Sequence, residues 1–241
     1  MRKHPRAVRW MHWVNFPLLT IMTWSGLLIY WAYDPYVLGV GETVLVRFFP
    51  DGFYEALGVT RQLARGMAYH FFFGWLFAIN GVLYVAYTAV SGEWRHLVPD
   101  RHALKESLQV VLHDVGLRKT LPPQGRYNAA QRVTYSAVIL MGAGMVATGF
   151  AIWKPTSMAW LTALFGGYQS ARTVHFVLTI LFVLFFVVHV AQVIRAGAAN
   201  FWSMVVGYER TTRPGTADPF VDAPAAPASV APAAGPAPDA P

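Results

Sequence analysis

The sequence predicts an all-α integral membrane protein built as a four-transmembrane-helix bundle. Three observations carry that prediction. The 241 residues are 55% hydrophobic and only 13% charged, with a mean hydropathy of +0.38, outside the range of ordinary soluble domains. Four apolar runs are each long enough to cross a bilayer, which takes about 20 residues. The basic residues cluster at the ends of those runs rather than in one patch, so the net charge of +7 points to lipid contact and not to nucleic acid. The chain has no cysteine, which excludes disulfides, thiolate metal sites, iron–sulfur clusters and covalently attached c-type haem.

The first span is expected over residues 10–33. The basic start, MRKHPRAVR, resembles a secretion signal, but the apolar run is longer than a signal core and has no clean small-residue cleavage site. It is therefore read as a retained span. The second is expected over 67–90, the third over 131–153 and the fourth over 172–194, separated by Asp34-Pro35, Ser91-Gly92, Lys154-Pro155 and Gly197. These lie in a domain covering residues 1–210. Between spans one and two, residues 34–66 are aromatic and apolar in places and suit either the membrane surface or a partner. Between spans two and three, an amphipathic interfacial helix is expected, capped by Asp100, with Leu104, Leu108, Val111, Leu112 and Val115 on one face. Residues 211–241 hold 10 alanines and 8 prolines; such a tail cannot bury a core and is expected to be disordered.

Orientation follows from lysine and arginine placement. With a cytoplasmic N-terminus, fourteen of the nineteen fall inside, among them Arg2, Lys3, Arg126, Arg210 and Arg213. The five outside are Arg47, Arg61, Arg65, Lys154 and Arg172. Both termini are expected to be cytoplasmic in a multi-pass protein of the bacterial inner membrane.

Four of the eight histidines, His12, His70, His175 and His189, fall inside the spans. An ionisable residue at that depth is costly and marks function by default, although any single one also serves as a helix–helix hydrogen-bond partner. Their joint placement decides. Fourteen residues separate His175 from His189, within about 40° of four whole turns, so both share one face about 21 Å apart along the axis. His12, near the start of span one, falls at the inner level with His189. His70, near the start of span two, falls at the outer level with His175. Zinc would recruit more ligands, and a proton relay would use carboxylates, of which the spans have none. Haem iron takes two axial imidazoles. Two b-type haems, stacked across the membrane, fit best. With no open iron position, the expected chemistry is electron transfer.

Other residues keep two readings. Arg9 and Arg172, each three positions before a proposed ligand, suit haem propionates or ordinary snorkelling. Gly26, Gly74, Gly81, Gly142, Gly144 and Gly149 suit helix packing or close approach of a porphyrin. Trp10, Trp13 and Trp153 fit an interfacial belt. His96, His102 and His113 lie in the inner loop without an assigned role.

Arg9-Trp10-Met11-His12-Trp13, His70 early in span two, the YNAAQR run at 127–132 and the His175/His189 pair together resemble the di-haem cytochrome b subunits of formate dehydrogenase, thiosulfate reductase and nickel–iron hydrogenase. The resemblance covers about residues 5–208. SGEWRH and LHDVGLRK are most similar to the subgroup that accompanies a periplasmic molybdopterin-dependent oxidoreductase. The resemblance implies the same histidine pairing and an exchangeable quinone near the inner haem, held by Asn128 and Gln131. An amide donates to a quinone carbonyl; Asn128 is equally suited to cap the third span. The longer outer loop and the Ala/Pro tail depart from the formate dehydrogenase pattern. The resulting expectation is an electron-transfer subunit between a periplasmic redox partner and quinone. The alternatives are a self-contained oxidase of a small species such as superoxide, and a haem-free anchor or transporter.

Overall fold

A computed structural model describes residues 5–33, 36–40, 43–122 and 127–207. The Ala/Pro tail, and Arg2, Lys3, Arg126, Arg210 and Arg213, lie outside the described residues. Ten elements follow in order: α1 (Arg6–Tyr30), β1 (Val37–Val40), β2 (Thr43–Arg47), α2 (Asp51–Ala56), α3 (Leu63–Ser91), α4 (Trp94–Leu97), α5 (Ala103–Asp114), α6 (Ala129–Trp153), α7 (Ala159–Leu164) and α8 (Tyr168–Val206). Helices α1, α3, α6 and α8 are long and apolar enough to cross a membrane. Their outward faces stay apolar and exposed, as at Val90, Leu140 and Ile194, which is how a helix meets lipid.

The four spans form two close pairs. α1 packs along α3, and α6 along α8; α1 and α8 approach each other sparingly. Glycine makes the first pair tight. A Cβ on Gly66 would stand 2.7 Å from Leu28 Cβ and 3.1 Å from the Ser25 carbonyl, so α1 and α3 meet there at backbone distance. Asn80, nearly buried in α3, donates to the Met11 carbonyl (3.1 Å) and to Asn15 Oδ1 (2.8 Å), pinning the other half of the same pair. The two pairs meet each other through far fewer contacts than each makes internally.

Two breakers act as expected: α3 ends at Gly92, which takes the left-handed conformation (φ 75°), and α6 ends before Lys154-Pro155. Gly197 also breaks the helix where expected, between the membrane span and a further helical stretch. Its φ of 81° and ψ of 169° kink α8, which continues to Val206. Only glycine enters that region without strain, so the chain turns rather than stops. Arg9 donates to the Val205 carbonyl (2.7 Å), and Trp13 Nε1 to that of Met204 (3.1 Å). The segment after the kink is thus tied back to α1 beside His12.

The loop after α1 folds further than expected. β1 and β2 form an antiparallel hairpin with an irregularity between Leu38 and Gly39. The β-branched run Thr43-Val44-Leu45-Val46 carries that strand signal. Below it, Leu28, Tyr54 and Val59 are buried among Trp24, Tyr30, Trp31, Phe49 and Phe53.

At the opposite end, α5 forms as the expected amphipathic helix with one correction. Asp100 does not cap it directly. Its carboxylate accepts from the His102 backbone N–H (2.9 Å) in an Asx turn one step ahead of the helix and pairs with Arg132 (3.0 Å). The residues α5 buries against α6 are Ala103 and Val110, while Leu104, Leu108, Val111 and Val115 stay exposed and Leu112 half-buried. The apolar stripe therefore faces away from the bundle. The last turn of α5 is held to α8 by Arg195, which donates to the Asp114 carbonyl (2.9 Å) and carboxylate (3.2 Å), and by Gln192 (3.3 Å).

Candidate haem sites

The two helix pairs face each other through histidines at two levels. At the end that carries the hairpin, His70 of α3 faces His175 of α8, with ring centroids 6.2 Å apart and planes crossed at 65°. At the end that carries α5, His12 of α1 faces His189 of α8, at 6.0 Å and 61°. The helix between His175 and His189 is unbroken, since the only non-helical residue of α8 is Gly197. The axial separation of about 21 Å therefore stands. All four sequence-predicted ligands are brought together in the expected pairs.

The spacing is a test of what fits between the rings. Two metal–imidazole bonds of about 2 Å, each continued by roughly 1.1 Å to a ring centroid, set the centroids of opposed imidazoles about 6.2 Å apart. Both pairs lie within a few tenths of that value. The same separation occurs in ordinary ring packing, as between Trp75 and Trp153 at 6.1 Å, so the distance fits the group and the repetition of a histidine pair at two levels singles the site out. Among the described residues, no three His, Cys, Asp or Glu side chains gather as a multi-ligand metal site would require.

The surroundings prepare the rings at the hairpin end. His70 Nδ1 is 3.0 Å from Ser25 Oγ, and His175 Nδ1 is 2.8 Å from Thr148 Oγ1. Both hydroxyl residues are fully buried. The residue after each is a glycine: a Cβ on Gly26 or Gly149 would stand 3.6 Å from the Cε1 of His70 or His175. Phe176, next to His175, is stacked on Tyr30 (5.3 Å, 14°) and packed against Tyr36 (4.5 Å) and Phe48 (5.4 Å). Tyr30 also accepts a hydrogen bond from the Tyr36 backbone N–H. At the α5 end, His189 stacks on Phe185 (5.6 Å, 21°), and His12 meets Trp13 edge-on (5.3 Å). Between the two levels, Phe182 lies seven residues from each ligand of α8, hence on their face, and is only 8% exposed.

The remaining predicted residues are placed less decisively. Asn128 and Gln131 form a reciprocal capping box at the start of α6. Asn128 Oδ1 accepts from the Gln131 N–H (2.8 Å), and Gln131 Oε1 from the Asn128 N–H (3.0 Å). The capping reading is realised in full, and it occupies the amide oxygens. Arg9 is engaged by the end of α8. Arg172 lies over the Tyr33 ring at 3.5 Å and donates to Gln169 (2.8 Å). Sequence reasoning missed Ser25, Thr148, Asn80 and Phe182. The available signal was a hydroxyl–glycine pair, Ser25-Gly26 and Thr148-Gly149, inside two otherwise apolar runs.

Comparison with known proteins agrees with this geometry. The chain is 30% identical over 191 residues to a protein of Azospira oryzae that carries the name protein-methionine-sulfoxide reductase subunit YedZ1, covering 79% of this chain and 89% of that one. The family model of the prokaryotic cytochrome b561 matches residues 3–207, which takes in all four membrane helices and both histidine pairs. The chain belongs to the prokaryotic cytochrome b561 family and is a haem-binding, electron-transport membrane subunit of the bacterial inner membrane.

Proposed function

We propose that this subunit holds two b-type haems, one between His12 and His189 and one between His70 and His175, and carries electrons between a periplasmic oxidoreductase and the quinone pool. The observation that carries the reading is that two histidine pairs face each other across the helix pairs at two levels, with ring separations of 6.0 and 6.2 Å that admit an iron between them. Bis-imidazole haem exchanges single electrons and leaves no iron position for oxygen. The protein's part is to supply neutral imidazoles, keep water out and hold the two centres at fixed depths. Arg9 and Arg172 stand one turn from His12 and His175 and are the cations within reach of propionates.

The lysine and arginine bias places the α5 end in the cytoplasm and the hairpin end in the periplasm. The partner is a periplasmic molybdopterin-dependent oxidoreductase. The reductase name borne by the Azospira relative and the SGEWRH and LHDVGLRK stretches support that choice. Quinone meets the cytoplasmic end near Asn128 and Gln131. The capping box uses their oxygens, and the amide NH2 groups are the donors a quinone carbonyl needs.

The test is pyridine haemochrome quantification with a reduced-minus-oxidised spectrum. Two b haems per chain are expected. His175→Ala should remove the periplasmic-side centre alone and His12→Ala the cytoplasmic-side one. A haem-free purified protein, or loss of the opposite centre in either variant, would overturn the proposal.

A further inference from the structure

The two hydroxyls at the hairpin end each have one proton and more neighbours than that: Ser25 Oγ has two and Thr148 Oγ1 three, the third being the Met145 carbonyl at 3.2 Å. Thr148 Oγ1 donates to the Gly144 carbonyl at 2.6 Å, and Ser25 Oγ to the Met22 carbonyl at 3.1 Å. A hydroxyl carries a single donor. With the hydroxyl protons on these carbonyls, each oxygen faces its imidazole as an acceptor, and the matching tautomer of His70 and His175 carries the proton on Nδ1. That leaves the Nε2 lone pair of both rings available to a metal. The arrangement is repeated rather than accidental. α1 supplies the hydroxyl for the histidine of its partner α3, and α6 supplies it for that of its partner α8. In both cases the following glycine lets the ring lie against backbone.

We propose that Ser25 and Thr148 are positioning residues of the His70/His175 centre: they fix the tautomer and rotation of both imidazoles and lower the reduction potential of the haem held there. The inference rests on the haem reading of that pair. Its physical basis is that an Nδ1–H donated to an acceptor pushes electron density toward Nε2 and makes the ligand more basic. A more basic axial ligand favours ferric over ferrous iron, and hydrogen bonding around the ligands is one of the protein's levers on haem potential. The 65° angle between the ring planes is held by the same two bonds. His189, at the other centre, is oriented differently, by its stack on Phe185.

The experiment uses the full-length protein in nanodiscs. Thr148→Val keeps the shape and removes the acceptor; Ser25→Ala does the same on the other side. Haem content, a stepwise potentiometric titration and the low-temperature electron paramagnetic resonance of the ferric centres are recorded. His175→Ala identifies which midpoint belongs to which pair. Two haems should remain in each variant, the midpoint of the His70/His175 centre should rise, and its low-field g-value should shift. The other centre should not change. The rise should be larger in the double variant, and Thr148→Ser should restore the original midpoint. If Thr148→Val loses haem, Thr148→Cys, a weak acceptor of similar size, is read on the same scale. Unchanged midpoints with both haems present would overturn the proposal, as would movement of the other centre. A parent protein with no midpoint sensitive to His175→Ala would instead sink the haem reading.

Discussion

Gly66→Ala tests how the hairpin-end site is built. The added Cβ would meet Leu28 Cβ at 2.7 Å, the Ser25 carbonyl oxygen at 3.1 Å and the Ile29 nitrogen at 3.2 Å. Two of these are backbone atoms, so no side-chain rotation relieves the clash. Carbon atoms pack best at about 3.5–4.0 Å, which requires α1 and α3 to part by about 1 Å. That parting stretches the Ser25–His70 contact from 3.0 Å beyond about 3.5 Å, where it no longer counts as a hydrogen bond. Overpacking of this kind costs about 1–3 kcal/mol. If that cost falls on the haem-competent arrangement, the hold on the haem weakens by roughly 5- to 150-fold. Haemochrome assay after dilution into haem-free detergent should show content falling from two toward one per chain, with the His12/His189 centre retained. Gly81→Ala is the control in the same helix. Its Cβ meets nothing within 4 Å, and alanine favours a helix over glycine by about 1 kcal/mol. Equal haem retention in Gly66→Ala and Gly81→Ala would refute the argument.

Three further outcomes are expected. Gly197→Ala forces a side chain into a conformation costing about 1–3 kcal/mol. It should loosen residues 198–206, seen as faster hydrogen exchange there; unchanged exchange would contradict the kink's role. Tyr54 is 2% exposed with an unpartnered hydroxyl, and burial pushes its phenol above the ordinary tyrosine range. Tyr54→Phe removes an unsatisfied group and should raise unfolding resistance by about 1 kcal/mol, measured by denaturant titration; a loss would show a partner exists. The His102 N–H, followed by the Arg132 guanidinium, holds the Asp100 carboxyl below its ordinary value of 3.8. A depressed carboxyl stabilises above its unfolded pKa and loses that contribution as pH falls through the folded one. The anchoring of α5 should therefore persist above pH 3.8 and weaken below it, with Asp100→Asn abolishing the dependence in exchange data for residues 103–114.

The spans and the histidine pairs were legible because they rest on long-range regularities. Hydropathy sets which runs cross the bilayer, and helical rise fixes the depth and face of each side chain in them. His175 and His189 needed no tertiary information to be placed on one face. The misses are local. Gly197 was legible as the break after the fourth span, but the helical stretch beyond it was not, because Arg9 and Trp13 hold that stretch through the Val205 and Met204 carbonyls. The hairpin is anchored at its ends by Tyr36 and Phe48, which pack on Phe176 of α8, contacts that local propensity does not reveal. The stripe of Leu104, Leu108 and Val111 marked an interfacial helix, and it stays exposed on the face turned away from the bundle; what the stripe did not show is that Ala103 and Val110 make the contact with α6. Ser25 and Thr148 look like ordinary small polar residues until His70 and His175 are seen beside them.

The division into two helix pairs has a meaning for biogenesis. α1 and α3 are synthesised first, carry their own glycine and asparagine locks, and can associate before α6 and α8 leave the ribosome. Each half then presents one ligand at each level, and neither half holds a complete pair. Haem would act as the clasp that closes one hairpin on the other. Cells starved of haem should accumulate a chain whose two halves are membrane-inserted but unclasped, and protease should cut the α5 segment, residues 103–114, faster once its anchor on α8 through Asp114 and Arg195 is loosened. Equal cutting with and without haem would show that the halves close on their own.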